Sequence, residues 1–279
     1  MQLKGDMGFL VTFWGVRGST TCSEPDYMFY GGNTACVELN LDGKIVIIDA
    51  GSGIRELGKK LIREKSAHAA LLISHTHWDH ISGFPFFAPI YSKHATLEIY
   101  ASPRQEMDTR SIFEMQMSSP FFPMPIHSVP SSLIFKDFDQ KDEFFLYDNT
   151  VKVVTAPLNH PNGATGFRIE YNGKSLAYIS DTEHIAGTSD QNVLSLAKNC
   201  DLMIYDALFT EEEYASHVGW GHSTWQEAVN IAKSADAKQT ALFHHSPDHN
   251  DEAMRIIENQ AKKELSSAFA ARERTIVSL

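Results

Sequence analysis

The sequence predicts a mixed α/β (α+β) fold, one domain over residues 1–279 with an insertion near 104–127. Three observations predict it. Strand-like and helical segments alternate along the whole chain. Two hairpins share one plan: each has an Asp-Gly or Asn-Gly turn followed by Lys, and each ends on an aspartate, Asp49 or Asp181. No Pro/Gly/Ser-rich linker or low-complexity tract divides the 279 residues. The matching hairpins suggest a duplicated half.

The elements follow in order. "FLVTFWG" reads as a strand ending at glycine. "ACVELNLDGKIVIIDAG" is a hairpin turning at Asp42-Gly43, and "GIRELGKKLIREK" has helical spacing. "AALLIS" is a buried strand, and "HTHWDHISG" is the loop after it. "ATLEIYAS" is a further strand. Residues 104–127 combine a helix rich in Met and Phe with a proline-broken apolar loop. Strands follow at "FFLYD" and "VKVVTAP", then a second hairpin, "TGFRIEYNGKSLAYISD", turning at Asn172-Gly173. The strand "DLMIYDA", the helix "TWQEAVNIAKSA" and the strand "QTALFH" come next. A helix from about Asp251 to Arg272 closes the chain.

Composition narrows the function. Lys+Arg is 24 and Asp+Glu is 35, for a net charge of −11. That balance disfavours a nucleic-acid polymer or an anionic membrane as partner. It is compatible with a small anionic substrate, because bound divalent cations reverse the sign locally. The cysteines Cys22, Cys36 and Cys200 are scattered and read as reduced thiols. No export signal and no membrane-spanning apolar run is evident, so the expected location is cytoplasmic.

The chemistry concentrates in "HTHWDH", residues 75–80. Burying imidazoles and carboxylates is costly unless they are paired or coordinating. Two histidines two apart on a loop aim at one ion, and the Asp and His just beyond serve a second. His75 and His77 are therefore assigned to one metal, and Asp79 and His80 to the other. His160, Asp181 and His244 each stand where a strand stops and complete the ligand set, with Asp181 as a candidate bridge. His244 and His245 compete for the final position, and His244 is preferred. The ligand types suit Zn²⁺, Mn²⁺ or Fe.

This pattern, HxHxDH and then a distant His, Asp and His, resembles the metallo-β-lactamase superfamily. The Asp within the motif, "ISDTE" and "GHST" resemble its phosphodiesterase branch, which includes ribonuclease Z and cyclic-nucleotide phosphodiesterases. "FWGVRGS" and "YGGNTACVEL" are similar to bacterial members of that branch. The resemblance implies an αββα four-layer sandwich with two divalent ions at one edge. It implies that Asp49 orders the metal loop and that His222 is a catalytic proton donor beside the metal-bound Asp79. Glu183 or Asp206 would orient His222, which otherwise reads as a histidine near a helix cap at Ser223 or Thr224.

The expected reaction is hydrolysis of a small cyclic phosphodiester, most simply a cyclic nucleotide of the 3′,5′-cAMP/cGMP type. Two divalent ions activate water for such an attack, and His222 protonates the leaving group. A ribonuclease Z-like endonuclease and a non-catalytic metal sensor are the alternatives. Arg17, Asn33, Phe121 and Phe122 are candidate substrate contacts. Arg17 reads equally as a structural fork. The Met/Phe-rich insertion reads as packing, a lid or a homodimer interface.

Overall fold

The computed structural model of the protein describes residues 8–104 and 106–279. Residues 1–7, on which the expectation of no export signal partly rests, and Gln105, within the expected insertion, lie outside the described residues. Six strands run through the first half: β1 (Phe9–Gly15), β2 (Cys36–Leu41), β3 (Lys44–Ile48), β4 (His68–Ile73), β5 (Thr96–Ala101) and β6 (Ser132–Asp137). The second half supplies β7 (Glu143–Leu146), β8 (Val151–Leu158), β9 (Ala164–Tyr171), β10 (Lys174–Ile179), β11 (Leu202–Asp206), β12 (Thr240–Phe243), β13 (Ala268–Ala270) and β14 (Ile276–Ser278). They form two seven-stranded sheets, ordered β14-β1-β2-β3-β4-β5-β6 and β13-β12-β11-β10-β9-β8-β7.

The helices are α1 (Ile54–Glu64), α2 (Trp78–Ile81), α3 (Thr109–Gln116), α4 (Gln191–Ala197), α5 (Glu211–Tyr214), α6 (Trp225–Ala235) and α7 (Asp251–Glu264). Three apolar clusters stack them into layers. One fills the space between the sheets, including Phe13, Val37, Leu72, Phe167, Tyr178 and Phe243. A second joins the outer face of the second sheet to α4, α6 and α7. The third joins the outer face of the first sheet to α1 and α3. The result is the expected order of helix, sheet, sheet, helix.

Local sequence explains the hairpins. Asp42 and Gly43 have φ of 52° and 89°, and Asn172 and Gly173 have 48° and 74°. Two successive positive φ values turn the chain in the sense that matches strand twist, and Asp, Asn and Gly adopt them at least cost. In α1 the buried residues Ile54, Leu57, Gly58 and Leu61 form one stripe at helical spacing. Thr224 caps α6 by accepting from Glu227 N at 3.1 Å.

The duplication seen in the hairpins extends to topology. From β1 to β6 the pairings run antiparallel, antiparallel, parallel, parallel, parallel, and from β8 to β13 they repeat that series. Asp49 after β3 and Asp181 after β10 thus occupy equivalent places.

The closing helix is shorter than its sequence predicts. α7 stops at Glu264, and Leu265 is extended. Ala268–Ala270 instead pairs parallel with β12, and Ile276–Ser278 pairs with β1. Pairing to two open sheet edges outweighs the helix propensity of "FAARER". Strand β6 and helix α4 are additional elements that the sequence pattern did not reveal.

Candidate metal centre

The carboxyl ends of β3, β4, β8, β10, β11 and β12 share one rim, and the predicted ligands lie just beyond them. Asp49, Asp181 and His244 each turn sharply at their strand end, with φ of 62°, 60° and 60°. Left-handed backbone in non-glycine residues costs of order 1–3 kcal/mol and concentrates at functional sites.

Three groups of potential ligand atoms result, of which Asp181, Asp206, His222 and His244 form one that overlaps the two predicted sets. Of those two sets, His75, His77 and His160 form one, and Asp79, His80, Asp181 and His244 form the other. Asp181 divides its carboxylate between them. Oδ1 lies 3.7 Å from His75 Nε2 and 3.8 Å from His160 Nε2, while Oδ2 lies 3.0 Å from His80 Nε2 and 3.4 Å from His244 Nε2. His244 Nε2 is also 3.1 Å from Asp79 Oδ2. His245 points elsewhere: its Nε2 meets the Ala271 carbonyl at 2.8 Å, and burial drops its pKa to about 3. Of the doubled histidines, His244 faces the rim and His245 faces away from it.

The donor atoms fit divalent cations. Ring nitrogens face one another at 3.1 Å between His77 and His160, and at 3.2 Å between His80 and His244. Two ligands about 2.0–2.1 Å from a tetrahedral ion stand about 3.3 Å apart. His75 Nε2 is buried with no hydrogen-bond partner among the described residues. Burial holds that ring's pKa well below its ordinary value, which leaves a neutral nitrogen free to coordinate.

A further set of contacts fixes the candidate ligand rings. Asp49, fully buried, accepts from His80 Nδ1 at 2.7 Å, Ser74 Oγ at 2.8 Å and Tyr178 OH at 2.7 Å. His160 Nδ1 donates to the Gly221 carbonyl at 2.8 Å. Each bond directs the opposite nitrogen, Nε2, into the site. Glu183 holds the loop that carries this carbonyl, accepting from Gly219 N at 2.7 Å and Gly221 N at 2.8 Å. Gly221 has φ of +87°, and a Cβ there would lie 2.3 Å from His160 Nδ1.

Of the two carboxylates proposed to orient His222, Asp206 does so. His222 Nδ1 donates to Asp206 Oδ2 at 2.8 Å. Burial opposes charge on the ring, but Asp206 and Asp181 outweigh it and raise the pKa to about 9. Asp206 also accepts from Asp181 N at 3.0 Å, tying the candidate acid to the shared carboxylate.

The structure places the four candidate substrate contacts in different settings. Arg17 is closed to solvent and donates to the carbonyls of Gly31 at 2.8 Å, Ser246 at 3.0 Å and His249 at 2.6 Å, while its Nη2 is buried with no hydrogen-bond partner among the described residues. These contacts are those of the structural fork among the two readings. Asn33 is bound to Glu273 and Ser52. Phe122 packs edge-on to Phe86 at 5.9 Å. Phe121, by contrast, lines a cavity of about 370 Å³ together with His75, His77, Trp78, Met115 and Arg104. Arg104, Trp78 and Gln116 escaped the sequence reading, although Arg104 follows β5 at the same strand edge as the ligands.

Among the described residues no helix is long and apolar enough to cross a membrane. The family model described as a beta-lactamase superfamily domain matches residues 44–245. A ribonuclease Z from Azobacteroides pseudotrichonymphae genomovar. CFP2 is 24% identical over 276 residues, covering 86% of this chain and 90% of the relative. The metallo-beta-lactamase fold protein YhfI from Bacillus subtilis superposes with a TM-score of 0.73 at 19% identity, covering 96% of this chain and 98% of that one. A diphosphatase from the PhnP family gives 0.69 at 19% identity, covering 97% and 98%. The family match spans most of the chain and the fold is shared, so the chain belongs to the beta-lactamase superfamily, among the hydrolases of the metallo-β-lactamase fold.

Proposed function

We propose that the protein is a dinuclear metal-dependent phosphodiesterase acting on a small cyclic phosphodiester, best matched by a cyclic nucleotide. The observation that carries this reading is the divided carboxylate of Asp181, with histidines gathered on each oxygen. His75, His77, His160 and Asp181 would hold one ion, and Asp79, His80, Asp181 and His244 the other. Zn²⁺, Mn²⁺ and Fe all suit these ligands. Bound there, a pair of divalent cations supplies charge neutralisation for phosphoryl oxygens and lowers the pKa of water.

The chain's own residues supply the rest. Asp206 fixes the His222 ring through Nδ1, which leaves Nε2–H to protonate the departing alkoxide. Asp49 and Gly221 keep the ligand rings aimed. The cavity beside His75 and His77 is small and mostly apolar, which suits a compact substrate better than a polymer. The net charge of −11 points the same way. Three buried free cysteines accord with a cytoplasmic setting.

One observation favours a second reading, an RNA 3′-processing endonuclease: the ribonuclease Z relative aligns over 86% of this chain. Turnover of 3′,5′- and 2′,3′-cyclic nucleotides should be compared with cleavage of precursor tRNA, using protein reconstituted with Mn²⁺ or Zn²⁺. Cyclic-nucleotide hydrolysis without tRNA cleavage supports the first reading, and the converse supports the second.

A further inference from the structure

The turn at residues 16–19, within "FWGVRGS", contributes no ligand, yet it touches two residues of the second ligand group. Ser19 N donates to Asp79 Oδ2 at 2.7 Å, and the same oxygen lies 3.1 Å from His244 Nε2. Ser19 has φ of 62°, a left-handed backbone that a serine adopts at a cost. Gly18 lies against the His244 ring: a Cβ there would sit 2.3 Å from Nδ1 and 2.4 Å from Cε1. The φ of Gly18 is outside the left-handed region, so the ring, and not the backbone, is what excludes a side chain.

His244 needs such a contact more than its neighbours do. His80 Nδ1 donates to Asp49, and His160 Nδ1 donates to the Gly221 carbonyl, so a hydrogen bond aims each of those rings. His244 Nδ1 is buried with no hydrogen-bond partner among the described residues, and Asp206 Oδ2, 4.0 Å away, is too far for one. Packing must therefore aim this ring. It stacks with His80 at 5.2 Å and with His222 at 5.0 Å. Gly18 adds a contact at Nδ1, the atom where the other two rings have a hydrogen bond.

The turn is tied to the segment that carries His244. Gly18 N donates to the His245 carbonyl at 3.0 Å, and His245 N donates to the Val16 carbonyl at 2.9 Å. The Arg17 side chain adds the carbonyls of Ser246 and His249. We propose that this turn positions the second ion alone, holding Asp79 through the Ser19 N–H and His244 through contact with Gly18. Gly221, whose Cβ would meet His160 Nδ1 at 2.3 Å, is its counterpart at the first ion. The inference rests on the two-ion reading above and adds a segment that controls one ion independently of the other.

The test is a Zn²⁺ titration of the full chain after chelation. Ions bound per chain are read by elemental analysis, affinities by competition with a chromophoric chelator, and the positions of the ions by anomalous scattering. Wild type should take up two ions. Gly18→Ala should bind one of them about 10–100-fold more weakly, and the ion retained should lie at His75, His77 and His160. Gly221→Ala should show the reverse. Gly18→Ala combined with His244→Ala guards against loss of folding, because removing the ring makes room for the methyl group. It should match His244→Ala alone in metal content and melting temperature. Two ions bound with unchanged affinity in Gly18→Ala overturn the inference. Equal weakening of both ions also overturns it, because the turn would then support the fold as a whole. A double variant that binds less metal or melts lower than His244→Ala overturns it as well, since the methyl group would then act on something other than the ring. If wild type takes up fewer than two ions, the two-ion reading itself fails and the inference falls with it.

Discussion

Asp206 holds the His222 ring by a 2.8 Å hydrogen bond from Nδ1 to Oδ2, and the same oxygen accepts the backbone N–H of Asp181 at 3.0 Å. One buried carboxylate thus sets the direction of the candidate acid and the position of the carboxylate shared by both ligand groups. His222→Ala is expected to slow hydrolysis of a diester with an alkoxide leaving group by about 10²–10⁴-fold. The loss should shrink for a p-nitrophenyl leaving group, which departs without a proton. Metal content should not change; if elemental analysis shows a lost ion, His222 is a ligand rather than an acid.

His77 contributes one nitrogen to its group and faces His160 at 3.1 Å. His77→Ala should abolish turnover and reduce bound metal, read by elemental analysis beside a rate assay. Chelation of the intact protein should lower its melting temperature, and re-addition of Mn²⁺ or Zn²⁺ should restore it, since a ligand that binds only the folded state stabilises it. Full activity in the variant would refute the assignment.

Asp49 touches neither group of ligands directly except through His80, whose Nδ1 it holds at 2.7 Å. Asp49→Asn keeps the size and removes the charge. Metal affinity should fall about 10–100-fold, measured by competition with a chromophoric chelator.

Gly221 has no room for a side chain, because a Cβ would sit 2.3 Å from His160 Nδ1 and φ is +87°. Gly221→Ala should cost about 1–3 kcal/mol and displace the His160 ring. Denaturant unfolding reads the first effect, and lowered metal occupancy reads the second.

Arg17 can be tested as a structural rather than a substrate-binding residue. Its donors join the Gly31 carbonyl to those of Ser246 and His249, close to the strand end that carries His244. Arg17→Met leaves buried carbonyls unpaired and should destabilise the fold by at least about 1–3 kcal/mol. The KM for a small phosphodiester should be unchanged; a rise in KM without loss of stability would return Arg17 to the substrate.

The sequence by itself determined much of this protein. Hairpin turns at Asp42-Gly43 and Asn172-Gly173 are chosen by local backbone preference, so the strands around them are legible one residue at a time. The crowding of "HTHWDH" is equally local, because few settings other than coordination make that density of imidazole and carboxylate tolerable. His160, Asp181 and His244 were legible as strand-end residues. What tied them to one rim was the parallel order of β3, β4 and of β10, β11, β12, which no short window contains. Only the tertiary structure puts His244 rather than His245 at the rim, because the left-handed turn after β12 decides which ring is directed inward. Arg17 and Arg104 show the same limit. Both are arginines just beyond strands, and only the surrounding fold decides that one is fully buried and grips three carbonyls while the other stays half-buried beside an apolar cavity. Partners far apart in sequence are fixed by packing, and packing is a property of the assembled layers.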